Sequence, residues 1–403
     1  MKITKILSLL LAVILAFSMT APVMAAEEED SELSQLLEDI QQMMVKYGPE
    51  VNEEVNAGTR KGTALPFQPA AGDHLVALGD DTARGKNTYV AMLADSLGMT
   101  YKNLARQDLL LEQLSEMVLT KKSADIKKAD VITLGFSING FATMAVSEIL
   151  NSNSGETYMN WSQYVPAEGV AEIKSTLARM ESYLISVGMT DSIPFVGPMY
   201  KITTIAAESF AYGALVYAHT LPKVLDELTA MNPTAKIIVV GMDNPMAGSV
   251  IALSGGDTMD LGGFIGKLIN MTNRCAQTTV MGRENVCFVS AADAQNANDG
   301  RVMAQNELVS AYLHGVDENA LPTQEGHAYI RDRILGAMQR TGDADLDGEV
   351  TYLDAMLALR AAVGQAQLDG PMVYTVDIDG DNAITYLDAM HILRASVGLE
   401  AFE

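Results

Sequence analysis

Asp343, Asp345, Asp347 and Asp354 stand at positions 1, 3, 5 and 12 of one short loop, and Asp377, Asp379, Asp381 and Asp388 repeat that spacing further along the chain. Ca2+ is a hard cation that takes about six to eight oxygens, and carboxylates staggered in this way wrap a short loop around one ion. Glu349 and Ala383, at position 7, would each add a backbone carbonyl. Position 6 needs a sharp turn that favours a residue without a side chain, and Gly348 fills it in the first loop. Asn382, the next most tolerant residue type, fills it in the second. Without a metal the same residues would be two acidic, solvated turns. The in-register duplication favours two calcium ions, one per loop.

The elements that must position these loops are short. Leu353, Met356, Leu357, Leu359 and Val363 recur at helical spacing, so each loop is expected to run into one amphipathic helix. Thr341 and Gly342 leave little room for a helix entering the first loop, which separates it from an ordinary EF-hand. Loop-then-helix, duplicated around identical TYLDAM cores from about 342 to 399, strongly resembles the type I-like dockerin module of cellulosomal proteins. That resemblance implies folding on calcium and docking to a cohesin module of a scaffoldin. It also implies partner recognition through Tyr352, Leu353 and Arg360 in the first copy and Tyr386, Leu387 and Arg394 in the second. Tyr and Arg are enriched among interface hot spots. The two leucines read equally well as core.

At the other end, Lys2 and Lys5 precede an apolar run from Ile6 to Phe17, and Val23-Met24-Ala25 offers a small-residue cleavage site. Residues 1–25 therefore read as a secretory signal peptide, too short in its apolar part to span a membrane. An extracellular, scaffold-associated address follows. Residues 26–72 form an acidic segment and linker, with a helix expected over 31–46 from Leu33, Leu36, Leu37, Ile40 and Met43. It could pack on the rest or stand apart from it. The formal net charge of −24 argues against nucleic acid and anionic membranes as partners, and no later segment reads as a membrane span.

Residues 73–338 carry another rhythm. Leu75–Leu78, Val131–Leu134, Ile237–Val240 and Val286–Val289 read as buried strands, separated by helical patterns such as 88–97, 109–119 and 170–187. Alternating units of this kind predict an α/β fold, a parallel sheet flanked by helices, with ligand sites beyond the carboxyl ends of the strands. Gly79-Asp80-Asp81 after the first strand, Asn103-Leu104-Ala105-Arg106, Gly135 to Asn139, Gly241 to Pro245 and Pro322 to His327 resemble, in order, the blocks of SGNH or GDSL-type hydrolases. The resemblance implies a flavodoxin-like three-layer arrangement, to which the C-terminal part (340–403) adds a small α-helical unit of two calcium loop-helix repeats.

The chemistry departs from that family. Asp81 stands where the nucleophilic serine belongs, and Leu321 where the catalytic histidine belongs. A leucine moves no proton, and a carboxylate opposes an oxyanion forming beside it. Glu318 matches the triad acid, Asp108 replaces an oxyanion-hole glycine, and Asn139 alone remains as a polar donor. A rewired pair of Ser137 and His314, or a cation held by Asp80, Asp81 and Asn139, would be a rescue; Asp80 reads more simply as a loop-bonding aspartate. Of the other histidines, His327 follows the lost position as a helix-packing residue. An insertion over about 142–229 holds the single tryptophan, Trp161, near Tyr158 and Tyr164, either a sugar-stacking platform or a packed anchor. Cys275 and Cys287 permit a disulfide or two buried thiols. Two functions stand: a docked, non-catalytic SGNH-like module that binds plant polysaccharide or another protein, or a carbohydrate (acetyl) esterase acting on plant cell-wall polysaccharide through a non-standard site.

Overall fold

The computed structural model describes residues 64–107, 109–138, 159–186, 197–252, 258–296, 299–300, 302–304 and 322–402, with scattered positions in 35–48, 140–148 and 190–193. The expected signal peptide lies outside them. Four largely apolar segments and one polar, mostly exposed edge strand form one sheet: β1 (His74–Gly79), β2 (Thr100–Asn103, the edge strand), β3 (Val131–Gly135), β4 (Lys236–Val240) and β5 (Val286–Val289), in the order β2-β1-β3-β4-β5. Every neighbouring pair is parallel. Strands buried on both faces must be apolar throughout, and side chains alternate between the faces. Val76, Leu78, Ile132, Leu134, Val239 and Phe288 enter one core. Leu75, Ala77, Val131, Ile238, Val240 and Val289 enter the other.

The helices are α1 (Tyr89–Leu97), α2 (Thr120–Ile126), α3 (Ala167–Ser186), α4 (Met199–Met231), α5 (Leu261–Val280) and α6 (Gln324–Ala337). Tyr89 and Leu93 of α1 and Ile330 and Ile334 of α6 cover the second core. Leu221 and Leu225 of α4, with Ile269 and Ala276 of α5, cover the first. Three layers result, the α/β arrangement expected. Most of α4 falls within the 142–229 segment, and its final turns serve as the crossover between β3 and β4. The helix expected over 109–119 is replaced by a 3-10 turn at Leu111–Gln113, a π-helical stretch at Ser115–Leu119, and then α2. Leu109, Leu110 and Leu111 are all buried, which one helical face cannot achieve; Leu110 is extended (φ −85°, ψ 147°) and sends them separate ways.

Described positions between 35 and 47 are helical, and Leu36 and Met43 are buried in the first core. Asp39 pairs with Arg179 at 2.7 Å and Lys46 with Glu172 at 2.7 Å, so this segment lies along α3. Leu33, Leu37 and Ile40 lie outside the described residues. The disulfide expected as one option for Cys275 and Cys287 does not form: both are free thiols. Cys287 points into the second core, whereas α5, which carries Cys275, packs on the first through Ala276. Burial pushes the Cys275 thiol up to about 11 and that of Cys287 up to about 12.

The C-terminal part contains α7 (Tyr352–Ala362), α8 (Pro371–Val376) and α9 (Tyr386–Ser396). Its core is made of small residues, Ala344, Ala355, Ala358 and Ala389, with Val376 and Ile392. The face expected from Leu353, Met356, Leu359 and Val363 therefore points the other way. Those four are exposed, because alanines let α7 and α9 approach closely and leave the long side chains outside. Leu357 alone of that set packs at the core's edge. No helix among the described residues is long and apolar enough to cross a membrane.

Candidate functional sites

The first candidate lies at the carboxyl edge of the sheet. β1 and β3 end in glycines that nearly touch. A Cβ on Gly79 (φ 141°) would collide with the carbonyl oxygen of Gly135, so no other residue fits there. The chain then turns Asp80 inward. Its Oδ2 accepts from the Ser137 N–H at 2.8 Å and from Ser137 Oγ at 2.7 Å, and its Oδ1 accepts from the Thr82 N–H at 3.1 Å. Burial pushes the Asp80 carboxyl up to about 7, the Ser137 hydroxyl opposes the shift, and the Asp81 charge adds to it.

Asp81, at the nucleophile position, is 2% exposed and accepts from Arg84 Nε at 2.8 Å. A carboxylate fixed by a guanidinium is a structural ion pair. Thr82 donates to Asp243 Oδ1 at 3.4 Å, and burial pushes Asp243 up to about 6. Asp243 and Thr82 went unnoticed in the sequence, although Asp243 directly follows the Gly241 turn at the end of β4 and so carried a positional signal. The cation site expected from Asp80, Asp81 and Asn139 includes Asn139, which lies outside the described residues; groups of three or more converging acidic side chains occur, among the described residues, in the C-terminal loops. Asp108, Asn139, His314, Glu318 and Leu321 lie outside the described residues.

The remaining histidines are engaged elsewhere. His74 Nδ1 lies 3.0 Å from Thr100 Oγ1 at the far end of β1, and His219 Nε2 lies 3.1 Å from the Tyr47 carbonyl. His391 Nδ1 is 2.7 Å from Glu400. His327 is buried on α6 beside Tyr89, and desolvation lowers its imidazole to about 4, so it is neutral and packs the helix. Ser137, Tyr217, Met242 and Phe141 line a cavity of about 20 Å³ at this edge, room for about one water. Tyr217 comes from α4, its phenol pushed up by burial and by Asp80. Trp161 is buried, donates to Glu208 Oε1 at 3.0 Å and meets Tyr212 edge-on at 5.1 Å. It is a packed anchor.

The second candidate is the loop pair. Carboxylate oxygens of Asp343, Asp345 and Asp354 lie within 4.8 Å of one another, and those of Asp377, Asp379 and Asp388 do the same. Asp343, Asp354, Asp377 and Asp388 are buried. Asp354 Oδ2 accepts from Thr351 N–H at 2.7 Å and Oγ1 at 3.0 Å while Thr351 caps Leu353, so one aspartate closes the loop and starts α7. Asp388 and Thr385 repeat this at α9. Asp347 and Asp381 stand outside the converging sets and accept from the N–H of Glu349 and Ala383 at 2.9 and 2.7 Å. Burial raises the Asp343 carboxyl, with Asp354 and Asp347 adding to the shift. Two buried carboxylates and one more exposed one (Asp345 or Asp379), converging with only oxygen donors, fit a hard divalent cation. Beyond the loops, Tyr352 and Tyr386 are 64% and 66% exposed, Leu353 and Leu387 are 46% and 40% exposed, and Arg360 and Arg394 are exposed.

No protein-family model matches the chain, and no curated protein matches it in sequence. Among solved structures it is similar to a phospholipase A1 from Streptomyces albidoflavus (14% identity, TM-score 0.32, covering 60% of this chain and 97% of that one). It is also similar to an extracellular lipase from Streptomyces rimosus (12% identity, TM-score 0.30, 60% and 97%). A catalytic mutant of an acetylxylan esterase from Geobacillus stearothermophilus gives 12% identity, TM-score 0.32, and coverage of 68% and 96%.

Proposed function

We propose that this chain is a secreted component that binds calcium in its two C-terminal loops and docks through α7 and α9 to a cohesin module of a scaffoldin. Its α/β domain, in this reading, keeps the shape of an SGNH-type hydrolase without serine chemistry. The observation that carries the docking half is the outward apolar stripe, Tyr352-Leu353 to Val363, repeated as Tyr386-Leu387 to Val397. Large apolar side chains turned to solvent in register on two adjacent helices mark an interaction surface. Bound calcium would neutralise the converging carboxylates. Asp354 and Asp388 hold the first turns of α7 and α9 through Thr351 and Thr385, so an ordered loop aims the tyrosines and arginines. Loss of catalysis is supported by Asp81, paired with Arg84, and by Ser137, bonded to Asp80 beside a cavity of about 20 Å³.

Calorimetry of the full chain with Ca2+ is the direct test: uptake of two ions is expected, and none would overturn the reading. Binding to a panel of immobilised cohesins should occur in calcium and vanish in chelator.

The second reading is a carbohydrate (acetyl) esterase acting on plant cell-wall polysaccharide. One contact favours it: Ser137 Oγ lies 2.7 Å from a carboxyl pushed up to about 7, which could accept the hydroxyl proton near neutral pH. Turnover of aryl acetates or acetylated xylan that disappears with Ser137→Ala would establish it. Turnover that survives Ser137→Ala but not Asp81→Asn would assign a carboxylate mechanism instead. Absence of turnover in the wild type is the outcome expected under the docking reading.

A further inference from the structure

The C-terminal unit and the α/β domain share a core. Tyr374, on the short helix α8 between the two loops, is 2% exposed and belongs to the same buried cluster as Leu75, Val240, Val289 and Ile330 of the sheet and α6. Gly336 makes this possible: a Cβ there would lie 2.5 Å from Tyr374 Cβ and 2.8 Å from its ring. Beside it, the buried Arg333 guanidinium sits 5.1 Å over both Tyr329 and Tyr374, bridging the two units by cation–π contact.

From there the contact reaches the second loop. Arg333 donates to Asn382 Oδ1 at 3.3 Å, and Asn382 Nδ2 donates to Asp293 Oδ2 at 2.7 Å. Asn382 is position 6 of that loop. It has φ 65°, and its backbone N–H donates to Asp377 Oδ2 at 3.2 Å. One residue therefore touches a loop carboxylate with its backbone and two residues of the α/β domain with its side chain. Among the described residues the first loop has no equivalent: Gly348 (φ 95°) holds the same turn and a Cβ there would meet nothing within 4 Å.

We infer that the second loop and α8 are wired into the α/β domain, so that calcium uptake stabilises that domain and the α/β domain in turn preorganises the second loop. The inference rests on calcium binding as proposed above and goes beyond it, since a tethered module would take up calcium without any effect on its neighbour. Linkage makes the coupling reciprocal: a domain stabilised by the loaded loop must raise that loop's affinity by the same factor.

The single tryptophan makes the test clean. Trp161 is buried in the α/β domain among Glu208 and Tyr212, so its fluorescence reports the unfolding of that domain and not of the loops. Thermal melts of the full chain, followed at Trp161 with Ca2+ and with chelator, are compared with calcium calorimetry on the same samples. The expected result is a Trp161 midpoint that rises with calcium. Asn382→Gly keeps the left-handed turn, as Gly348 does, but removes both side-chain contacts. It is expected to shrink the calcium-induced rise and to weaken one of the two ions about three- to tenfold, leaving the other unchanged. Asp293→Ala, which lies outside the loop, should act in the same direction and so separates lost wiring from a damaged loop. Calcium uptake with an unmoved Trp161 midpoint would overturn the inference while leaving the calcium reading intact. Asn382→Gly and Asp293→Ala both behaving as wild type would overturn it too, and no calcium uptake by the wild type would overturn both.

Discussion

Asp80 is a buried carboxylate with no countercharge paired to it among the described residues, held by Ser137 and the Thr82 backbone. Its carboxyl moves from an ordinary 3.8 to about 7. The folded protein therefore keeps this proton between about pH 4 and 7, where the unfolded chain has lost it. Stability from this group is complete below the unfolded value and falls as pH rises through the folded one. Asp243, pushed up to about 6, acts with the same sign. Urea unfolding in chelator across this range is expected to show stability declining toward neutral pH, with a shallower decline in Asp80→Asn; equal slopes would refute the assignment. At Asp81 the expectation differs. Its ion pair with the 39%-exposed Arg84 is screened on one side, so Arg84→Ala should cost about 1 kcal/mol or somewhat more, because it leaves Asp81 buried without that partner.

α7 and α9 place alanines inward and, Leu357 apart, leucines, methionines and tyrosines outward. A helix pair this short gains little from its own core, and its large apolar side chains stay exposed, as the proposed docking requires. Under the docking reading, replacing Leu353 and Leu387 together by Glu is expected to abolish cohesin capture while leaving calcium uptake and helicity unchanged, as measured by calorimetry and circular dichroism. Either single variant should retain binding, since the other copy remains. α6 carries a different load. Gly336→Val would drive a branched side chain into Tyr374, and overpacking of this kind costs about 1–3 kcal/mol. The urea midpoint followed at Trp161 is the measurement, and a midpoint unchanged from wild type would show that α8 does not press on α6.

The whole molecule carries a formal charge of −24, and a part of it converges in the two loops. Self-repulsion of this size weakens the compact state and is screened by salt. If the loops take up calcium as proposed, raising NaCl from about 0.05 to 0.5 M should raise the thermal midpoint more in chelator than in calcium, because a bound ion would already neutralise the densest charge. An equal rise in both would mean that the loops contribute no special repulsion. The N-terminal segment adds a further brace, with Asp39–Arg179 and Lys46–Glu172 pinning it along α3.

Local spacing made much of this protein legible. Strands β1, β3, β4 and β5 are continuous apolar runs, and a parallel sheet buried on both faces demands such runs. The loop carboxylates were legible because a loop's geometry is set by near neighbours: Asp343 to Asp354 converge within one short stretch, and Thr351 and Thr385 begin their helices where the TYLDAM cores place them. Periodicity tells which residues share a helix face but not which face meets a neighbour. Only the tertiary structure decided that Ala355 and Ala358 face α9 while Leu353 and Met356 face solvent. It also separated Cys275 from Cys287, because successive side chains on β5 go to opposite sides of the sheet. The meeting of Asn382 with Arg333 and Asp293 was equally out of reach, since hydrogen bonds between distant segments leave no trace in local spacing. The sequence by itself determined the spacing of the loop carboxylates, because near neighbours set it; folding decided that α8 enters the α/β domain's own core through Tyr374 and that Asn382 of the second loop meets Arg333 and Asp293, because such contacts join segments far apart in the chain.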